Sequence, residues 1–250
     1  MKIFLYQSLP KLFNKEDNLK TIKSILYNND SDLFIFPEMF LTGYIIGDEV
    51  YRLAETPNGK YINDLKMLVN RSNKYAIVGM PIEEKIGVFY NVALFTDGET
   101  IAYQKKRYLP NFGPFNEKRY FTAGTSSITA NIDKFTVGIS ICYDAFFPNI
   151  VNEMQDIDML VIISASPITS KSNFEKILPA LAIDNGIYVV YVNMHGIERW
   201  SYFWGGSRVI DPGGNTVYML SDVDEGTFNI DLSEVKHSRI FRHAFKDKRI

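Results

Sequence analysis

The sequence predicts an α/β fold, and three observations carry that prediction. Apolar runs that read as core strands recur along the chain, several of them ending at Pro or at a turn. Between them lie segments with apolar residues at helical spacing. The second half then repeats the strand–helix–strand order of the first, the pattern of sheets covered by helices.

The opening KIFLY (2–6) predicts a buried strand. A helix is expected over about 15–28, where Leu19, Ile22, Ile25 and Leu26 fall on one face. DLFIFPE (32–38) is a core strand stopped by Pro37, and 60–73 is again helical. YAIVGMP (75–81) is a strand, and VFYNVALF (88–95) with ETIAYQKK (99–106) form a hairpin around Thr96-Asp97-Gly98. KFTVGISICYD (134–144) is a strand that runs directly into Cys142. IDMLVIIS (157–164), a helix over 172–186 and IYVVYVN (187–193) follow. A Gly- and aromatic-rich stretch leads to SRVIDPGGNTVYML and EGTFNIDL, antiparallel-type segments with a DPGG turn. No Pro- or Ser-rich linker, repeat or low-complexity tract divides the chain, so residues 1–250 read as one domain.

With 250 residues and 46% apolar content, the chain can fill a sizeable core. A formal net charge of −2 gives no electrostatic reason to expect nucleic acid. The last fifteen residues, KHSRIFRHAFKDKRI, are basic but interrupted by apolar residues, and read as a solvated or subunit-contacting tail. No run approaches the roughly 20 apolar residues of a membrane helix. The start lacks a long apolar region and a small-residue cleavage site, so no signal peptide is expected. A single cysteine cannot form an internal disulfide, and a cytoplasmic protein is expected. The three histidines, His195, His237 and His243, show no metal-type spacing, and no phosphate-binding glycine loop is present.

Chemistry concentrates in three segments where an apolar strand ends near a reactive residue: Glu38, Lys106 and Cys142. Loops at strand ends are where α/β folds hold functional groups rigidly. Singly, these residues have ordinary readings as a surface carboxylate, a solvated lysine and a small buried thiol. Together they supply what acyl transfer needs. A thiol of pKa about 8.5 gains thiolate character beside a cation. A carboxylate can take its proton and later give it to a leaving amine, and an ammonium can hold an oxyanion.

These segments, in this order and at about this spacing, resemble the nitrilase superfamily of carbon–nitrogen hydrolases. The resemblance rests on Pro37-Glu38-Met39-Phe40-Leu41-Thr42-Gly43-Tyr44, on Lys106 before Leu109-Pro110, and on Ile141-Cys142-Tyr143-Asp144. It continues through Phe115-Asn116-Glu117-Lys118-Arg119-Tyr120-Phe121, Ser164-Ala165-Ser166-Pro167, Tyr191-Val192-Asn193, Gly205-Gly206-Ser207 and Phe245–Arg249. Two positions depart from the pattern: Asn149 stands where many relatives carry Glu, and Leu181-Ala182 where Arg-Ala is common.

The resemblance implies a four-layer α-β-β-α sandwich, a homodimer or higher homo-oligomer pairing through helices, and no metal or organic cofactor. It assigns Glu38 as base, Lys106 as oxyanion stabiliser and Cys142 as nucleophile, with Lys105 the alternative if the strand carries a bulge. Glu117 matches a second family glutamate near the nucleophile; an ordinary pairing with Lys118 or Arg119 is its other reading. Tyr44, Phe112, Tyr143 and Ser166 are expected at the substrate. LPNFGPFNEKRYF and WGGS resemble the glutaminase domains attached to NAD synthetases, but the chain is expected to stand free, because no SGGxDS nucleotide motif is present. The expected substrate is a small primary amide. A nitrile substrate, or a non-catalytic scaffold that kept the fold, are the alternatives.

Overall fold

The computed structural model describes residues 1–113, 115–221 and 224–241. In the first half, β1 (Lys2–Tyr6) leads to α1 (Lys15–Asn28), β2 (Leu33–Ile35), the short α2 (Val50–Leu53) and α3 (Lys60–Ser72). β3 (Tyr75–Lys85), β4 (Val88–Thr96) and β5 (Ile101–Lys105) complete it. The second half holds β6 (Thr129–Ile132), β7 (Phe135–Ile141), α4 (Pro148–Glu153), β8 (Met159–Ser164), α5 (Lys171–Asn185) and β9 (Tyr188–Asn193). A small hairpin, β10 (His195–Glu198) and β11 (Ser201–Trp204), precedes β12 (Arg208–Ile210), β13 (Thr216–Met219), β14 (Glu225–Asn229) and α6 (Leu232–Phe241).

Two six-stranded sheets result, ordered β14-β1-β2-β3-β4-β5 and β13-β12-β9-β8-β7-β6. They share one plan. Each has three central parallel strands, flanked by one antiparallel strand on one side and an antiparallel pair on the other. The predicted DPGG turn joins β12 to β13, whereas EGTFN crosses to the other sheet and pairs with β1 from Lys2↔Asn229 to Tyr6↔Glu225.

Alternation along the strands sorts the side chains into layers. Ile3, Leu5, Leu33, Ile35, Ile77, Ala93 and Phe95 point between the sheets, where they meet Val137, Ile139 and Ile141. Phe4, Phe34, Phe36, Val78 and Leu94 point outward onto Ile22, Ile25 and Leu26 of α1 and Ile62, Leu65 and Val69 of α3. Phe174, Leu178 and Leu181 of α5 cover the second sheet. The order is therefore helix, sheet, sheet, helix, the expected four-layer sandwich. Leu181, where an arginine is common in the resembling pattern, is buried.

One end of this sandwich collects the strand termini that matter. Glu38 follows β2, Lys106 follows β5 and Cys142 follows β7. Gly79 in β3 allows the Glu38 loop to lie against the sheet. Phe36 donates its N–H to Ile77 and Leu41 to Gly79, and a Cβ on Gly79 would sit 2.4 Å from the Met39 nitrogen and 2.6 Å from the Glu38 Cα. No side chain fits there without moving the loop. The Phe245–Arg249 stretch and His243 lie outside the described residues, as does most of the basic tail. No described helix is long and apolar enough to cross a membrane.

Gly79→Ala should cost about 1–3 kcal/mol in chemical denaturation, because it overpacks backbone against backbone. Unchanged stability would show that the Glu38 loop is free to shift.

Candidate active site

Glu38 is buried, and its carboxylate is fully engaged. Oε1 accepts from Asn91 Nδ2 (2.7 Å) and Lys106 Nζ (2.7 Å), while Oε2 accepts from the Ala165 backbone N–H (2.8 Å) just after β8. That last bond ties the end of one sheet to the end of the other. Asn91 sits in β4, and its carbonyl also receives the Lys106 N–H at 2.8 Å.

Lys106 is buried and Lys105 is not the inward lysine. Strand alternation turns Lys105 toward solvent, where it pairs with Glu84 at 2.5 Å. Lys106 Nζ donates to Glu38 Oε1 and, at 2.6 Å, to Glu117 Oε1. Burial alone would push this ammonium down, but the Glu117 and Glu38 carboxylates outweigh it and hold the group above the ordinary lysine value. Glu117 thus faces the site and forms no ion pair with Lys118 or Arg119. It also accepts from the Tyr44 hydroxyl at 2.5 Å, and its Oε2 is buried without a donor among the described residues. Burial, then the neighbouring Glu38 charge, raises the Glu117 carboxyl to about 7 against the pull of Lys106.

Cys142 ends the strand earlier than the apolar run predicts. Its φ of +47° breaks the extended backbone, and a tight 3₁₀ turn begins there, Cys142–Phe146. The thiol is buried. Burial, with the Glu38 charge, pushes it well above the ordinary thiol value, while Lys106 and the Ser164 hydroxyl pull the other way. The cation expected to favour the thiolate is present, but burial and the Glu38 charge act against it.

Asp144, two residues on, joins the Cys142 turn to the Lys106 loop. Its Oδ1 accepts the N–H groups of Arg107 (3.1 Å) and Tyr108 (2.7 Å). Burial pushes its carboxyl up to about 7 despite those donors.

The other expected residues divide into wall and rim. Ser166 is buried, with its N–H on Asn193 Oδ1 (2.7 Å) and its hydroxyl lacking a hydrogen-bond partner among the described residues. Tyr143 and Phe112 meet edge-on at 5.4 Å, and Phe112 is exposed at the rim. A cleft of about 170 Å³ between Tyr44, Phe115, Tyr120, Phe121, Arg199 and Trp200 reaches Glu117. Asn91, Asp144 and the Ala165 N–H were not anticipated. A buried Asn within an apolar strand, and an Asp two residues after the lone cysteine, are the signals that point to the first two. Among the described residues, no cluster of three His, Cys, Asp or Glu could hold a metal.

A thiol, an ammonium and two carboxylates converging at the strand ends of an α-β-β-α sandwich define a hydrolase-type protein. Residues 3–239 match the family model for carbon-nitrogen hydrolases, and the chain belongs to that family. It is 31% identical over 240 residues to a glutamine-dependent NAD(+) synthetase of Aquifex aeolicus, covering 91% of this chain but 41% of that protein. The chain therefore spans less than half the length of that relative. A (R)-stereoselective amidase of a Pseudomonas species is 27% identical over 88% of this chain and 81% of its own length. The crystal structure of XC1258 from Xanthomonas campestris, a CN-hydrolase superfamily protein with an arsenic adduct in its active site, superposes with a TM-score of 0.90 over 99% of this chain and 96% of that one. At 22% identity, that likeness speaks to the fold.

Asp144→Ala would leave two loop N–H groups unpaired and cost about 1–3 kcal/mol. It should also lower activity by freeing the Lys106 loop. Urea denaturation together with turnover checks this, and a variant unchanged in both would discount the tie.

Proposed function

We propose that the chain is a cofactor-free amidase that cleaves a small primary amide, of the ω-amide or glutamine type, through a thioester on Cys142. The observation that carries the reading is the fully buried Lys106 ammonium, shared between Glu38 and Glu117 beside the lone cysteine.

Glu38 takes the proton from the resting thiol as Sγ attacks the amide carbonyl carbon. The carbonyl π electrons move to oxygen, and the Lys106 ammonium with the Tyr143 backbone N–H holds that oxyanion. As the tetrahedral centre collapses, the C–N bond breaks and Glu38 returns its proton to nitrogen, releasing ammonia. Water then attacks the thioester and gives its proton to Glu38 or Glu117. Collapse expels the Cys142 sulfur, which recovers a proton as the acid leaves. Glu117 suits the second half-reaction because its Oε2 has no donor among the described residues. Tyr44, Tyr143, Phe112 and Ser166 shape the acyl site. The same reading has residues 1–250 working as one domain in the cytoplasm, where a lone thiol stays reduced, and as a homodimer or larger homo-oligomer.

Cys142→Ala should abolish ammonia release from a panel of short primary amides, and a variant with near-normal turnover would sink the mechanism. Running the same panel with nitriles separates an amidase from a nitrilase.

The pH dependence follows from Glu117. With its carboxyl raised to about 7, it is protonated below that value and ionised above it, so its capacity to take a proton from water grows as pH rises. kcat should climb across roughly pH 6–8, with a midpoint belonging to the coupled Glu38–Lys106–Glu117 cluster. Glu117→Gln should flatten that limb. A limb of unchanged slope in the variant would remove Glu117 from this role.

A further inference from the structure

The β10–β11 hairpin lies across the site end of both sheets. His195 donates its N–H to Gln7 O beyond β1 (2.6 Å), and Pro167 beyond β8 bridges to Phe203. At the end of β10, Glu198 turns inward and is buried. Its Oε1 accepts two consecutive backbone N–H groups, Tyr44 at 3.0 Å and Ile45 at 2.6 Å. Gly43, just before them, has φ +87°, and a Cβ there would come within 3.0 Å of Glu198 Oε2 and 2.5 Å of Leu12 Cδ1. The hairpin also meets the Tyr44 ring, which Phe203 contacts edge-on at 5.9 Å. Tyr44 is thus held by backbone and ring, with its hydroxyl aimed at Glu117 Oε1, the atom that receives Lys106 Nζ.

We propose that Glu198 is a positioning residue that acts through Tyr44 on the Glu117–Lys106 pair. A buried carboxylate is a costly way to satisfy two loop N–H groups that solvent or a serine hydroxyl could serve. It is a strong and directional one, because an ionised acceptor shortens and orients its hydrogen bonds. The chain of contacts runs Glu198, Tyr44 backbone, Tyr44 hydroxyl, Glu117, Lys106, Glu38; within Tyr44 the link is the covalent side chain, and each link between residues is a hydrogen bond of 3.0 Å or less. The hairpin turn that carries Glu198 inward also brings Arg199 and Trp200 to the wall of the cleft that ends at Glu117. The effect on turnover rests on the amidase reading; the placement of Tyr44 does not.

The test combines crystal structures with kinetics. In Glu198→Ala, the Tyr44 hydroxyl should lie beyond hydrogen-bond distance of Glu117 Oε1, and kcat should fall about 10- to 100-fold with a smaller change in KM. Glu198→Gln, whose amide oxygen can still accept both N–H groups, should restore the Tyr44–Glu117 bond and most of the lost activity. In a Tyr44→Phe background, which already lacks the hydroxyl, Glu198→Ala should cost less than about threefold more, because the two act in one chain. A Tyr44–Glu117 bond that survives in Glu198→Ala overturns the proposal, as do multiplicative effects of the two substitutions. So does a loss of melting temperature with kcat unchanged. If the wild-type protein releases ammonia from no amide, the amidase reading fails, and the crystal structures of the Ala and Gln variants decide the positioning role alone.

Discussion

An ammonium with no exposed surface must find its counter-charges inside the protein, and Lys106 finds them in Glu38 and Glu117. Removing such a group from water costs several kcal/mol, which only close and well-oriented partners offset. That requirement reaches outward. Glu38 must be aimed by Asn91 and by the Ala165 N–H, and Glu117 by the Tyr44 hydroxyl. The site is therefore a network in which each polar group is another's orienting partner, and partial loss of it is worse than an apolar substitute.

The two-sheet architecture makes that network reachable. Each catalytic candidate comes from a different strand end, and the sheets hold those ends at fixed separations. The cross-links between sheets at this end are polar: Glu38 to Ala165, and Asp144 to the Lys106 loop. Deeper in the sandwich the contact between the sheets is apolar. Burial binds the layers, and a few hydrogen bonds at one rim set the geometry.

Much of this was legible in the chain, for physical reasons. The helical stripe predicts 15–28 and 60–73, and the structure has Lys15–Asn28 and Lys60–Ser72, because a core-facing stripe identifies a helix without reference to its neighbours. Alternation says only that one of Lys105 and Lys106 faces inward; the choice of Lys106 comes from the resemblance, whose lysine stands three residues before the Leu of Leu109-Pro110. Partners distant in sequence were not legible: nothing in EGTFN (225–229) says that it pairs with KIFLY rather than with the preceding hairpin. The β10–β11 hairpin escaped because its strands are four residues each and lack a clean apolar alternation. Asn91, Asp144 and Glu198 escaped for a related reason. Their importance lies in which atoms they meet, and those atoms belong to loops far along the chain.

The left-handed backbone at Cys142 constrains which sequences this position can tolerate. An L-residue in that region gives up roughly 1–2 kcal/mol relative to its preferred conformations, and a β-branched side chain would give up more. Threonine is thereby disfavoured at this position, leaving cysteine and serine as the unbranched choices among thiol and hydroxyl residues. Glycine would relieve the strain but removes the thiol. On the mechanism proposed above, the fold gives up a little stability at a residue where relaxing the backbone would cost it the reaction.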